Sequence, residues 1–360
     1  MNWKDLKLGA KLGIGFGILV LIAVVLGGMA VFNMSNISQK SNYLAKEYVP
    51  EVNLANQIER NSLQTMYNMR GYSFSEEESY YREGMNYLDR VKTNLQKAED
   101  LANKSTQLVK LQEEVDGVQA SLEEYESLAD QTQKINQKLD QERNQMDVAA
   151  AAFMDNCMQY LDNQNEEFDR IVEGGNASNS QLDLFHNRIT WINNIIDEGN
   201  SVRVANFKAQ SRRAPDELRQ AINNFDISGY LADIRNITRD AEGRQNLDEI
   251  EQAADDYAGA MEAFLNDWQA REELNQQRDT EANNVLAGAQ SVAEAGINNT
   301  QRIADDAIDT ASASSSVMII GLVFALIVGI AFAVVITRAI TKPINLGVNF
   351  AQKVSEGDLT

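Results

Sequence analysis

Two uncharged apolar runs, Leu12 to Phe32 and Val317 to Thr337, constrain this chain more than any other feature. Each is 21 residues long. At ~1.5 Å rise per residue a helix of that length covers the ~30 Å hydrocarbon core of a bilayer. The chain is therefore expected to cross a membrane twice, with tails 1–11 and 338–360 on one side and residues 33–316 on the other. The first run alone could be read as a cleaved signal peptide, because Lys4, Lys7 and Lys11 precede it and Gly27, Gly28 and Ala30 close it. The second run argues for two spans. Lys4, Lys7 and Lys11 before the first span, and Arg338, Lys342 and Lys353 after the second, contrast with the uncharged Ser312 to Ser316, so both tails are expected to be cytoplasmic.

Of the 32 Lys and Arg, six lie in the tails, and of the 53 Asp and Glu, three do; the segment between the spans keeps 26 and 50, a net charge of −24. An acidic exterior without a basic run excludes nucleic acid as a partner. The single cysteine, Cys157, cannot form an internal disulfide, so packing alone must stabilise this segment. A periplasmic domain on a bacterial inner membrane fits that better than a eukaryotic ectodomain, which would carry disulfides.

Only three prolines occur, Pro50, Pro215 and Pro343, in a middle rich in Ala, Gln, Asn, Glu, Leu and Asp. Such a composition favours long helices. Apolar residues recur at alternating steps of three and four along Leu108, Leu111, Val115, Val118, Leu122, Tyr125 and Ala129, and again along Leu247, Ile250, Ala254, Tyr257, Met261, Phe264 and Trp268. These are the seams of packed bundles. Break signals at Ser75-Glu76-Glu77-Glu78, Asn103-Lys104-Ser105-Thr106, Gly174-Gly175-Asn176-Ala177-Ser178-Asn179, Ala214-Pro215 and Glu242-Gly243 divide the exterior into six helices, the fifth with a break near Asp226 to Gly229. The third and sixth would each be ~100 Å long and the others ~40 to 60 Å. The expected fold is all-α: two stacked four-helix bundle modules from six helices, two long and four shorter, flanked by two transmembrane helices. The membrane-proximal module would take about 34–138 plus 280–316 and the distal one about 139–279.

No catalytic constellation is present and no metal or cofactor is implied. His186, the only histidine, has neither a CxxCH nor a second histidine, and Gly13-x-Gly15-x-Gly17 lies inside a span, where helix packing is its expected role. On the first exterior helix, Ile58, Ser62, Met66 and Met69 cluster on one face, while Arg60, Gln64 and Tyr67 fall on the opposite one. A guanidinium beside an amide and a phenol suits a carboxylate, because the arginine fork donates two parallel hydrogen bonds. The candidate ligand residues are Arg60, Asn61, Gln64, Tyr67 and Arg70, and a solvated face with an intrahelical salt bridge is the alternative. A second anion pocket is a candidate at Trp191, Arg203 and Asn206, near Lys208, Arg212 and Arg213, although Arg212 and Arg213 also suit a helix C-terminus.

The layout of span, six-helix loop and span resembles the sensory half of bacterial methyl-accepting chemotaxis receptors, specifically those with a helical bimodular ligand domain. So does Glu47-Tyr48-Val49-Pro50-Glu51-Val52 leading into Glu59-Arg60 and Met69-Arg70-Gly71-Tyr72. The tail from Thr337-Arg338-Ala339-Ile340-Thr341-Lys342-Pro343-Ile344 through Ser355-Glu356-Gly357-Asp358-Leu359-Thr360 is similar to the start of a HAMP linker. The resemblance implies a homodimer in the bacterial inner membrane with a periplasmic sensor domain for a small molecule, for several members an organic acid. It implies an adaptor and a kinase only through a cytoplasmic part beyond the second HAMP helix, which these 360 residues do not reach. The sensor portion of a histidine kinase or diguanylate cyclase, and a helical spacer without a ligand, are the alternatives.

Overall fold

The computed structural model describes residues 7–175 and 177–355; Lys4, Asp5, Asn176 and the Glu356-Gly357-Asp358-Leu359 motif lie outside the described residues, as does the side chain of Lys353. Every regular element among the described residues is a helix. α1 (Leu8–Tyr43) runs through a π-helical turn (Leu44–Tyr48) into α2 (Val49–Ser75), so the first span and the first exterior helix are continuous. The π turn contains Lys46, whose carbonyl lies four residues before Pro50, where a proline ring clashes with α-helical geometry. α3 (Glu78–Lys104), α4 (Val109–Glu173), α5 (Asn179–Arg212), α6 (Pro215–Asn224), α7 (Ser228–Ile237) and α8 (Ala241–Ser355) follow. α4 has 65 residues and α8 has 115. The expected fifth helix is thus two short ones, parted by Phe225 to Ile227, with Asp226 Oδ1 accepting the Ser228 N–H at 2.9 Å.

Local chemistry sets these boundaries. Glu76, at φ 60, turns the chain between α2 and α3, and Ser75 Oγ accepts the Glu77 N–H. Ser178 and Gln181 form a reciprocal capping box that starts α5. Arg213, in the left-handed region, ends α5, and Pro215 opens α6, where its missing N–H is no loss.

The chain forms two compact units. The first comprises Met1–Gln57, Asn94–Asp116 and Gly288–Thr360 and contains both apolar helices. These two are long and apolar enough to cross a membrane, and their large apolar side chains, such as Val24 and Leu326, are exposed. They pack against each other through small residues: Phe332 covers Gly15, Leu26 covers Gly321, and Asn33 donates to Ser314 Oγ at 2.9 Å. Of the three glycines expected to serve packing, only Gly15 meets a neighbour; a Cβ at Gly13 or Gly17 would touch nothing.

The second unit comprises Ile58–Thr93 and Gly117–Ala287. Toward one end α2, α3, α4 and α8 surround a void of about 10 Å³ lined by Ser62, Leu88, Tyr125 and Val285. Toward the other, α4, α5, α6, α7 and α8 enclose two apolar clusters. One contains Leu139, Met146, Val202, Leu218 and Phe264, the other Phe153, Cys157, Ile192, Ile234 and Leu247. Both seams read from the sequence are buried throughout.

Candidate ligand-binding site

α2 presents two opposed faces, as its sequence spacing requires. Ile58, Ser62, Met66 and Met69 are buried, whereas Arg60, Gln64 and Tyr67 are exposed. The outward positions Arg60, Leu63, Tyr67, Arg70 and Phe74 step by three and four, which is the pattern of a helix-pairing seam. Leu63, Tyr67 and Phe74 expose 49%, 68% and 65% of their surface. Arg60 makes no ion pair among the described residues. Asn61 is half-buried, and its carbonyl accepts Thr65 Oγ1 at 2.9 Å. Arg70 Nη2 donates to Asp279 Oδ2 of α8 at 3.0 Å.

The three residues of the expected outer pocket do not converge. All lie on α5, but Trp191 packs on the cluster around Phe153 while Asn206 is buried near Met146. Fifteen residues at ~1.5 Å each separate them by about 22 Å. Gln210 Nε2 donates to Asn206 Oδ1 at 2.9 Å, a bond within one helix, and Arg203 is exposed. His186 is exposed, and Cys157 is a buried free thiol.

A polar layer that was not expected crosses the buried seams. Continued past Trp268 by the same steps, the α8 seam reaches Arg271, Asn275, Arg278, Ala282 and Val285; past Ala129, the α4 seam reaches Thr132, Asn136, Leu139 and Arg143. Charged residues at seam positions were the signal available in the sequence. Glu76 accepts both ends of the Arg143 guanidinium, and Arg271 Nη1 also reaches Glu76 Oε1. Burial pushes the Glu76 carboxyl up, but the hydrogen bonds of Arg143 and the charges of Arg143 and Arg271 outweigh it and hold the group below its usual range.

Arg278, 1% exposed, bridges three helices. It donates from Nη1 to Thr132 Oγ1 at 2.9 Å, and from Nη2 to Ser73 Oγ and Asn275 Oδ1, both at 3.0 Å. All these acceptors are neutral, and burial lowers its affinity for the proton. Burial also lifts the nearby Tyr125 phenol to about 12, against the pull of the Arg278 charge, so the tyrosine stays neutral.

Two helices long and apolar enough to cross a membrane stand on either side of the helical bundle in the sequence. Residues 5–181 match the family described as the four helix bundle sensory module for signal transduction. Among solved structures, the sensor domain of the V. parahaemolyticus histidine kinase TorS is similar at 12% identity and a TM-score of 0.43, over 71% of this chain and 99% of that one. No curated protein sequence matches.

Proposed function

We propose that the chain is the sensory half of a bacterial inner-membrane chemoreceptor that detects a small carboxylate in the periplasm. Arg60 is the primary contact, assisted by Asn61, Gln64, Tyr67 and Arg70, on a face that also pairs with α2 of a second copy. The observation that supports this is the outward stripe of α2. Exposed Leu63, Tyr67 and Phe74 alternate with Arg60 and Arg70, so apolar pairing and anion recognition share one seam.

The signal leaves through α8, which runs without a break from Ala241 to Ser355 and includes the second span. Binding that favours one of two helix registers would shift α8 by ~1–2 Å and move the start of the HAMP linker at Pro343. An adaptor and a kinase would act through a further cytoplasmic part. Calorimetric titration of the full chain in lipid nanodiscs with carboxylates of two to six carbons tests the reading. Arg60→Ala should weaken the best ligand about 10-fold or more. Unchanged affinity in that variant sinks the site assignment.

A further inference from the structure

We propose that the contact between α2 and α8 at Glu51 and Gly296 is a proton-operated switch, closed while Glu51 carries a proton and parted when it is ionised. Both residues belong to the first unit. The switch is independent of the α2 face around Arg60, and what it binds is a proton rather than an anion.

The two helices touch here through a glycine. A Cβ on Gly296 would lie 2.6 Å from Val52 Cγ2 and 2.9 Å from Glu51 Oε2, so α8 admits the carboxyl only because it has no side chain at this point. Glu51 is 1% exposed and its Oε2 has no hydrogen-bond partner; Thr300 Oγ1, one turn along α8, is buried without one as well. A carboxylate held this way is a bare charge in a helix interface, which burial disfavours far more than it does the neutral acid. No neighbouring charge offsets this. Arg302 of α8, Glu47 of the π turn and Tyr43 of α1 act on the buried Tyr48, and none of them acts on the Glu51 carboxyl, which burial alone pushes up to about 7. Lys46 and Glu294 are exposed, and the α3–α4 connection contributes the neutral Ser105.

A hinge adjoins the carboxyl. The Val49 N–H bonds to the Leu44 carbonyl five residues back, and Pro50 has no N–H with which to restore an α-helical ladder. A π turn holds one residue more than an α turn, so α2 can change its register against α1 without unfolding. Ser105 Oγ donates to Glu47 and anchors this turn to the α3–α4 connection, while Glu51 meets α8 one turn further on. Hydration of an ionised Glu51 requires α2 to rotate or lift from Gly296. In the parted state the carboxyl returns to its ordinary value of 4.5, so the ratio of parted to closed molecules rises by up to about 10-fold per pH unit between there and about 7, then levels off.

Spin labels at Val49→Cys and Ile297→Cys, both exposed positions, read the distance between the helices in the full chain in lipid nanodiscs. Dilution with unlabelled chain confines the reading to one copy, and the buried Cys157 stays unlabelled. From pH 5 to pH 8 the distribution is expected to pass from a short to a longer distance. Glu51→Gln and Glu51→Met, both neutral, should keep the short distance at both pH values. Glu142→Gln removes a carboxyl that is also raised to about 7 but lies in the second unit, and it should leave the response intact. A wild-type distribution that ignores pH overturns the proposal. So does a response that persists in both Glu51 variants, or one that disappears in Glu142→Gln.

Discussion

Arg143 of α4 grips Glu76 with both arms of its guanidinium, Nη1 at 2.7 Å from Oε2 and Nη2 at 2.9 Å from Oε1. Arg271 of α8 reaches the same carboxylate, so the residue that turns the chain between α2 and α3 also ties the two longest helices of the unit. On its other side this turn is held by Arg213, through the ring and carbonyl of Phe74. One left-handed residue thus meets the ends of two helical hairpins, and its carboxylate is the nearest counter-charge of two arginines.

Glu76→Gln should therefore destabilise the protein by about 3 kcal/mol at pH 7, because it removes the nearest counter-charge of buried Arg271 and leaves it only the half-exposed Glu272 at 3.8 Å. Arg235→Gln, which removes surface pairs to Asp248 and Glu251, should change stability by less than about 1 kcal/mol. A carboxyl held low in the folded state contributes stability above its unfolded value near 4.5, and that contribution is lost as pH falls through its lower folded value. In urea titrations, the gap between wild type and Glu76→Gln should close toward pH 3. A gap of equal size at pH 3 and pH 7 would refute the electrostatic account.

Glu51 has the opposite sign. It is 1% exposed, its Oε2 finds no hydrogen-bond partner among the described residues, and burial lifts its carboxyl from 4.5 to about 7. The folded state keeps its proton longer than the unfolded one, so the stabilisation is full below about 4.5 and is lost as pH rises through about 7. Glu51→Gln should be more stable than wild type by roughly 2 kcal/mol at pH 8 and equal to it at pH 4. Thermal melts at the two pH values measure the difference, and equal melting at pH 8 would rule out a buried charge there.

Helix ends were legible because the residues that make them are neighbours. Ser178 and Gln181 are three apart, Ser75 and Glu77 two, and Pro215 announces α6 by itself. The two faces of α2 were legible for the same reason, since one helix fixes where Arg60 and Met66 point. The Glu76 cluster was not, because Arg143 is 67 residues away and Arg271 is 195 away, and only the fold brings them together. Trp191 and Asn206 failed as a pair because a count of residues near one another on a helix ignores both face and rise. Arg278 could have been found by continuing the α8 heptad past Trp268, where an arginine takes a core position.

Gly199 and Gly117 separate packing from helix propensity. A Cβ at Gly199 would lie 2.3 Å from the ring of Phe153, which is fully buried, while one at Gly117 would meet nothing within 4 Å. Gly199→Ala should destabilise by about 1–3 kcal/mol through overpacking. Gly117→Ala should stabilise by about 0.5–1 kcal/mol, because alanine restricts the unfolded chain at an open helical position. Chemical denaturation of both variants reads the difference, and two changes of the same sign would contradict the packing of α5 on α4.

If α2 pairs with a second copy, cysteines on its outward stripe should cross-link and cysteines elsewhere should not. The native thiol will not interfere: Cys157 is fully buried, and burial pushes its pKa up to about 12. In a parallel pair, equivalent seam residues face each other, and a disulfide needs Cβ atoms within about 3.5–4.5 Å. Leu63→Cys should therefore give a covalent dimer on mild oxidation in membranes, whereas Glu83→Cys, exposed on α3, should stay monomeric. Saturating carboxylate should alter the Leu63→Cys rate if ligand and partner share the seam, and Arg60→Ala should abolish that response while leaving basal cross-linking. Equal cross-linking at both positions would mean that α2 is a solvated face and that Arg60 must find its anion without a second subunit.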